Sequence, residues 1–292
     1  MKHPQTIFRH RKKLNAQEVG QKDEESLVAL LRSTTLIHRH FGWVPPLNWL
    51  GKQPFLSVFK NRQILAALAC PPDPPQIAWI RLFASDQNLP IKEAWHLLWP
   101  LAQKKLKKTR PTKTVAAIVL QDWLQEVLQE SGFTQECQVS GLTRKITSDP
   151  LPNIQSEALI RAMQKKDLPV VQKIDEMAFA PFWRTPPDKL EYAHNIAVIA
   201  TVAEINQQII GYQISTGGTL KGHLARLAVS PQHQNRGIGK ALLHDLLTKF
   251  EQQRYIQITV NTQTHNKISQ KLYQSFGFQL APETYPVYQI QL

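Results

Sequence analysis

Gly237 and Gly239, separated by one residue, lie between a short apolar run, Leu224–Val229, and a segment with apolar residues at Ala241, Leu242, Leu246 and Leu247. Arg226 alone interrupts the run, and Ser230-Pro231 ends it, because proline cannot donate to a sheet ladder. The order predicts a strand, a tight loop and a helix start. The first N–H groups of a helix have no internal partner, and the helix dipole favours negative charge there. Glycines let such groups approach a ligand closely. Gln234, Asn235, Arg236, Gly237, Ile238, Gly239 and Lys240 therefore have the build of a diphosphate cradle. The spacing is neither the Gly-x-x-x-x-Gly-Lys-Ser/Thr of a P-loop nor the Gly-x-Gly-x-x-Gly of a dinucleotide fold.

Strands and helices must hold this loop in place, and the sequence predicts them on both sides. After it come a strand, Ile256–Asn261, a helix, Lys267–Phe276, a stop at Gly277, and final strands at Phe278 and Val287–Leu292. Before it come a strand, Ala158–Met163, and a helix from Asp167-Leu168-Pro169 to about Phe179. A hairpin, Ile196–Ile205 with Gln208–Ser215, turns at Asn206-Gln207. The first half predicts a helix at Glu25–Leu31 and strands at Phe55–Phe59, Gln63–Cys70 and Gln76–Ala84. A helix at Ile91–Lys108, a strand at Thr114–Leu120 and a helix at Trp123–Ser131 follow. Gly132 stops that helix, before strands at Phe133–Val139 and Leu142–Ile146.

The two halves share this order, and an offset of 145 residues aligns them. Phe133 falls on Phe278, Gly132 on Gly277, Leu97-Leu98 on Leu242-Leu243, and Val115 on Val260. The expectation is two copies of one α/β domain. The polar, Pro-containing stretch Ser148–Ser156 marks the boundary, giving domains 1–150 and 151–292. The copies differ where chemistry belongs. Lys92 and Ala94 stand opposite Gly237 and Gly239, Pro90 opposite Asn235, and Leu128 opposite Tyr273. The first copy is thus expected to be degenerate and the second to carry the site.

Residues 157–292 resemble a complete domain of the GNAT family of N-acetyltransferases. The resemblance rests on Leu227-Ala228-Val229-x-Pro231, Gln234-x-x-Gly237-x-Gly239, Val260-Asn261, and Asn266-x6-Tyr273 with Gly277-Phe278. In its loop and ending the copy is similar to ribosomal-protein alanine N-acetyltransferases. The whole chain resembles tandem GNAT proteins, each domain a mixed, mostly antiparallel sheet flanked by helices.

The resemblance implies acetyl-CoA as co-substrate and a primary amine as acceptor, attacking the thioester directly. It implies that the cradle holds the diphosphate and that Leu227, Ala228 and Val229 lie along the pantetheine arm. Backbone groups of Leu227 and Val229 would pair with the arm. Asn266 would contact the arm, and Tyr273 would protonate the departing thiolate. The base is less direct. Asn261 stands where the ribosomal-protein enzymes carry Glu, and it cannot take a proton. His223 stands where many other members carry Glu on the central strand. Its ordinary pKa near ~6.5 suits a base. Alternation along a strand predicts that His223, Ala225 and Leu227 share one face. A water relay to Glu204 or to a backbone carbonyl competes with it.

Composition sets outer bounds. The chain has 292 residues and a net charge of +13. No run approaches the ~20 apolar residues of a membrane span. Met1–Glu18 is basic and polar with no apolar h-region, and is read as a mobile or docking arm. Cys70 and Cys137 offer neither a disulfide framework nor a metal spacing, which fits a reducing cytoplasm. Much of the positive charge lies in Arg9–Lys13 and Lys104–Arg110. No aromatic platform accompanies either cluster, so steering of CoA phosphates or of an acidic partner ranks above binding to nucleic acid or a ribosome. The competing class is a non-catalytic acyl-CoA-binding or ribosome-associated module that keeps the fold.

Overall fold

A computed structural model describes residues 14–147 and 150–292. The basic cluster Arg9–Lys13 and most of the expected arm lie outside the described residues. The chain forms two compact units, Met1–Thr134 with Tyr288–Leu292, and Gln135–Val287.

The first unit runs β1 (Asn15–Glu18), α1 (Glu24–Ser33), β2 (Leu36–Arg39), β3 (Phe55–Lys60), β4 (Gln63–Ala69), β5 (Ile77–Trp79) and β6 (Leu82–Ser85). It continues with α2 (Ile91–Lys108), β7 (Thr114–Ile118) and α3 (Asp122–Glu130). Five strands form a sheet in the order β1-β3-β4-β6-β2, and β5 pairs in parallel with β7. Its core gathers Trp95, Leu98 and Leu106 of α2, Leu124 and Leu128 of α3, and Tyr288 from the far end of the chain. Gln129 Nε2 donates to the Tyr288 hydroxyl at 2.8 Å.

Next comes β8 (Thr134–Lys145), followed by β9 (Leu159–Ala162), α4 (Leu168–Ala178), α5 (Pro187–Ile196), β10 (Ile199–Ile205) and β11 (Gln208–Gly217). The order closes with β12 (Lys221–Val229), α6 (Ile238–Gln252), β13 (Gln257–Gln263), α7 (Lys267–Gln274) and β14 (Gln279–Gln291). In the second unit the strands lie in the order β8-β13-β12-β11-β10-β9. The β10–β11 hairpin turns at Asn206 and Gln207, both with positive φ. One face packs on α6 and α7 through Leu243, Leu246, Leu247, Phe250, Tyr273 and Phe276.

The offset of 145 residues runs through the elements. It sets α1 on α4, β3 on β10, β4 on β11, α2 on α6, β7 on β13, α3 on α7 and β8 on β14. The structure departs from the sequence expectation in six places. Strands β1 and β2 form where none was read. Gln76–Ala84 breaks into β5 and β6, because Ile80 N–H bonds Ala116 while Arg81 N–H bonds Ala69, so the chain changes partner there. Gly141 does not interrupt β8, since it pairs with Asn261 inside the ladder. The expected final strands are likewise the single strand β14. Asp167 does not cap α4; its carboxylate turns back to accept from Gln164 N–H at 2.7 Å.

The unit division also falls elsewhere than residue 150. Gln135–Lys145 belongs to the second unit, where Val139–Lys145 pairs antiparallel with β13. An alternating strand pattern announces a strand but not which sheet takes it.

Candidate active site

Strands β12 and β13 pair in parallel only from Lys221 with Gln257 to Leu224 with Val260. Beyond Leu224 the pairing stops while β12 stays bonded to β11 as far as Val229. Ser230 N–H bonds Ile210 on the β11 side. Alternation then turns the N–H groups of Leu227 and Val229 to the open edge. The Val229 carbonyl is met there by Gln234 Nε2 at 3.1 Å. The opening is thus lined by the N–H groups of Leu227 and Val229 on a centrally placed strand.

The cradle lies at the end of this opening. Asn235 has φ 62 and Gly237 has φ 74, and Gly237 is the N-cap of α6. Among the described residues, the N–H groups of Gly237, Ile238, Gly239 and Lys240 have no protein acceptor, and no side chain caps the helix. Four convergent donors with a helix dipole behind them fit a diphosphate. The side chains divide by task. Ile238 is core, packed with Val229 and Leu242. Gln234 braces Val229, whereas Asn235, Arg236 and Lys240 are exposed. The Gly239 Cα faces Leu227 and Leu272, with room for only an ordinary contact if a Cβ were added.

Tyr273 lies in α7 on the α6 face of the sheet, 6% exposed, with its ring 5.8 Å from that of Phe278. Burial pushes its hydroxyl well above the ordinary range, so it stays protonated. Among the described residues no hydrogen bond to that hydroxyl is found, and burial alone shifts it. Asn266 is the N-cap of α7, its side chain accepting from Ser269 N–H at 3.1 Å. Asn261 is exposed.

His223 lies at the start of the opening. Its Nδ1 is 2.8 Å from Thr259 Oγ1, and that hydroxyl also reaches Gly222 O at 3.4 Å. Burial lowers its pKa, so the ring is neutral near pH 7. The expected shared face of His223, Ala225 and Leu227 is not formed. Ser215 pairs with Leu224 and Ile214 with Arg226, so Ala225 is an extra, bulged residue. A Cβ on Gly222 would strike Phe250 of α6, and Leu224 packs with Leu243. His223 therefore faces away from α6, and the bulge leaves Leu227 on the α6 side, within reach of Gly239. Glu204, the alternative base, is held at 2.6 Å by Arg161, which also grips Asp167.

Sequence reasoning passed over Arg226. Its Nε donates to Asp175 Oδ2 at 2.7 Å, its Nη2 donates to Trp183 O at 2.7 Å, and its guanidinium lies 3.5 Å from the Phe179 ring centroid. Asp175, fully buried in α4, also accepts from Tyr212 OH at 2.5 Å and Thr185 N–H at 3.0 Å. This network ties the loop between α4 and α5 to β12 beside the opening. A charge inside an apolar strand was the available signal, since buried charges are paired.

The first unit has closed the corresponding place. Its α2 begins at Ile91, so Lys92, the counterpart of the N-cap Gly237, already lies inside the helix. Strand β2 pairs along β6, the counterpart of Leu227–Ser230. Arg81, the counterpart of Arg226, bonds Asp73 O at 2.8 Å and lies over Trp49.

Residues 168–278 match the sequence profile of the acetyltransferase (GNAT) family. N-acetyltransferase 8F1 of Rattus norvegicus is 33% identical over 84 residues, 27% of this chain and 38% of that protein. The chain therefore spans less than half of that relative. An uncharacterized N-acetyltransferase of Methanocaldococcus jannaschii is 27% identical over 140 residues, 44% of this chain and 83% of that protein. A tandem GNAT protein from the clavulanic acid biosynthesis pathway has the same fold, with TM-score 0.66 and 15% identity over 96% of this chain and 98% of its own. Among the described residues no helix is long and apolar enough to cross a membrane. Residues 168–278 thus carry the profile of the acetyltransferase (GNAT) family, and the relatives and the shared fold agree with it.

Proposed function

We propose that the second unit transfers an acetyl group from acetyl-CoA to a primary amine: a protein N-terminus, a lysine or a small-molecule amine. The observation that carries this reading is the parting of β12 from β13 after Leu224, directly before an α6 N-terminus with four free N–H groups. The N–H groups of Leu227 and Val229 offer partners for the amide carbonyls of the pantetheine arm. A free N–H at Val229 also suits an oxyanion. Holding both reactants in place supplies a large part of the rate.

The two side chains read as acid and base lie on opposite faces of the sheet. Tyr273, on the α6 face, offers a neutral O–H to the departing sulfur. His223, on the other face, is neutral and can take the amine proton directly or through one water. If Thr259 donates to Gly222 O and accepts from Nδ1–H, the lone pair is left on Nε2. In this reading the amine approaches past the loop that Arg226 holds, and Cys70 and Cys137, both free, sit in a reducing cytoplasm.

The test is release of free CoA thiol from acetyl-CoA with peptide α-amines, lysine peptides and small amines in turn. Amine-dependent release supports the reading. Tight CoA binding with no release by any of these acceptors would favour the non-catalytic module instead.

A further inference from the structure

Residues Leu151–Glu157 form no helix or strand. They run past the cradle before entering β9. The Gln155 carbonyl oxygen lies 2.7 Å from where a Cβ on Gly237 would stand, so the approach needs glycine for space as well as for its positive φ. Glu157 pairs with Arg236, a cradle residue. Leu151 and Ile154 pack on the cluster that holds Tyr273 and, at its margin, Leu227 and Leu272. A carboxylate and a carbonyl oxygen of the chain itself thus stand beside four unsatisfied N–H groups and a cationic side chain.

We propose that Leu151–Glu157 is an autoinhibitory strap, occupying part of the acyl-CoA groove and lifting when the diphosphate binds. The proposal rests on the acyl-CoA reading of the cradle. The strap holds on weakly. Among the described residues its backbone makes no hydrogen bond to a sheet or helix, and Ser156 Oγ meets only Ala158 N–H. Its anchors are two half-buried apolar side chains and one exposed ion pair, a kind of contact that contributes little. Such a segment belongs to the low-stability end of a fold and opens without unfolding the rest. A ligand that binds only the open form has its apparent Kd raised by the reciprocal of the open fraction. Loosening the strap must then tighten CoA binding.

The experiment is calorimetric titration of the full chain with coenzyme A. Glu157→Gln frees Arg236 and should lower Kd about two- to fivefold. That variant also removes a negative charge, which alone would favour an anion. The deciding variant is therefore charge-neutral: Leu151→Ser with Ile154→Ser, checked for folding by circular dichroism, with Ile154→Ala as the milder substitute. A lower Kd than wild type supports the strap, as does binding by the loosened variant alone. An unchanged or higher Kd overturns it and makes the segment a bystander or a wall of the site. If neither wild type nor any variant binds coenzyme A, the acyl-CoA reading of the cradle falls, and the strap falls with it.

Discussion

His223 and Thr259 face each other across the last paired residues of β12 and β13, with Nδ1 2.8 Å from Oγ1. The bond fixes the ring at the point where the strands part, and burial keeps it neutral. His223→Ala and His223→Gln should each lower turnover at neutral pH, by roughly 10²-fold or more if the base role is real. Raising the pH should restore part of the rate, because the amine then loses its proton unaided. The wild-type acid limb should fall below ~6.5, since the ring's pKa is lowered rather than raised. A wild-type pH–rate profile in both variants would sink the assignment.

Tyr273→Phe keeps the ring against Phe278 and removes only a hydroxyl that has no partner among the described residues. Stability should barely move, and the Kd for acetyl-CoA should change little. Turnover should drop by roughly 10²- to 10⁴-fold if the hydroxyl protonates the leaving thiolate. Full turnover in the variant would leave Tyr273 as a core aromatic.

Acetyl-CoA should bind with a stoichiometry of one per chain. The first unit cannot offer a second site, because β2 covers β6 and α2 runs through the counterpart of the glycine loop. Titration showing two equivalent sites would overturn this. Gly237→Ala should weaken binding, since it strains the cradle backbone at φ 74.

The first unit should lose stability in acid. His38 is 2% exposed, and burial pushes its pKa down to about 4; His40 is lowered in the same sense. The unfolded chain binds these protons near ~6.5, so stability is full above that pH and is lost as pH falls toward 4. For His38 alone the loss reaches about 3 kcal/mol. Urea melts from pH 7 to 4 should show it, and His38→Gln with His40→Gln should flatten the curve. An unchanged slope would mean that neither ring stays neutral.

Legibility followed the strength of the local chemistry. Pro231, Gly237 and Gly239 punctuate the chain so strongly that strand, cradle and helix were readable in order. The offset was readable because Gly132 and Gly277 stop equivalent helices at φ 84 and φ 79. The bulge at Ala225 was not, for no glycine or proline marks it; the face of His223 was misread as a result. Strand β2 was missed because Leu36-Ile37-His38-Arg39 is short and half polar, and its pairing with β6 is decided by distant residues. Arg226 was visible as an oddity, but its partner Asp175 lies 51 residues away.

Tyr288 is joined to Gln129 across 159 residues of sequence, and Tyr288–Leu292 counts with the first unit. Leu292 N–H bonds Lys113 O, and Thr114 Oγ1 bonds Gln291. On the ribosome, domains ordinarily fold in the order in which they emerge. Here the first unit has to wait with an unfilled edge until the second has been made. Removal of Tyr288–Leu292 should therefore injure the opposite end of the chain, exposing the apolar face of α3 while the cradle remains intact. Quality control on a truncated product would read damage in the unit that bears no cradle.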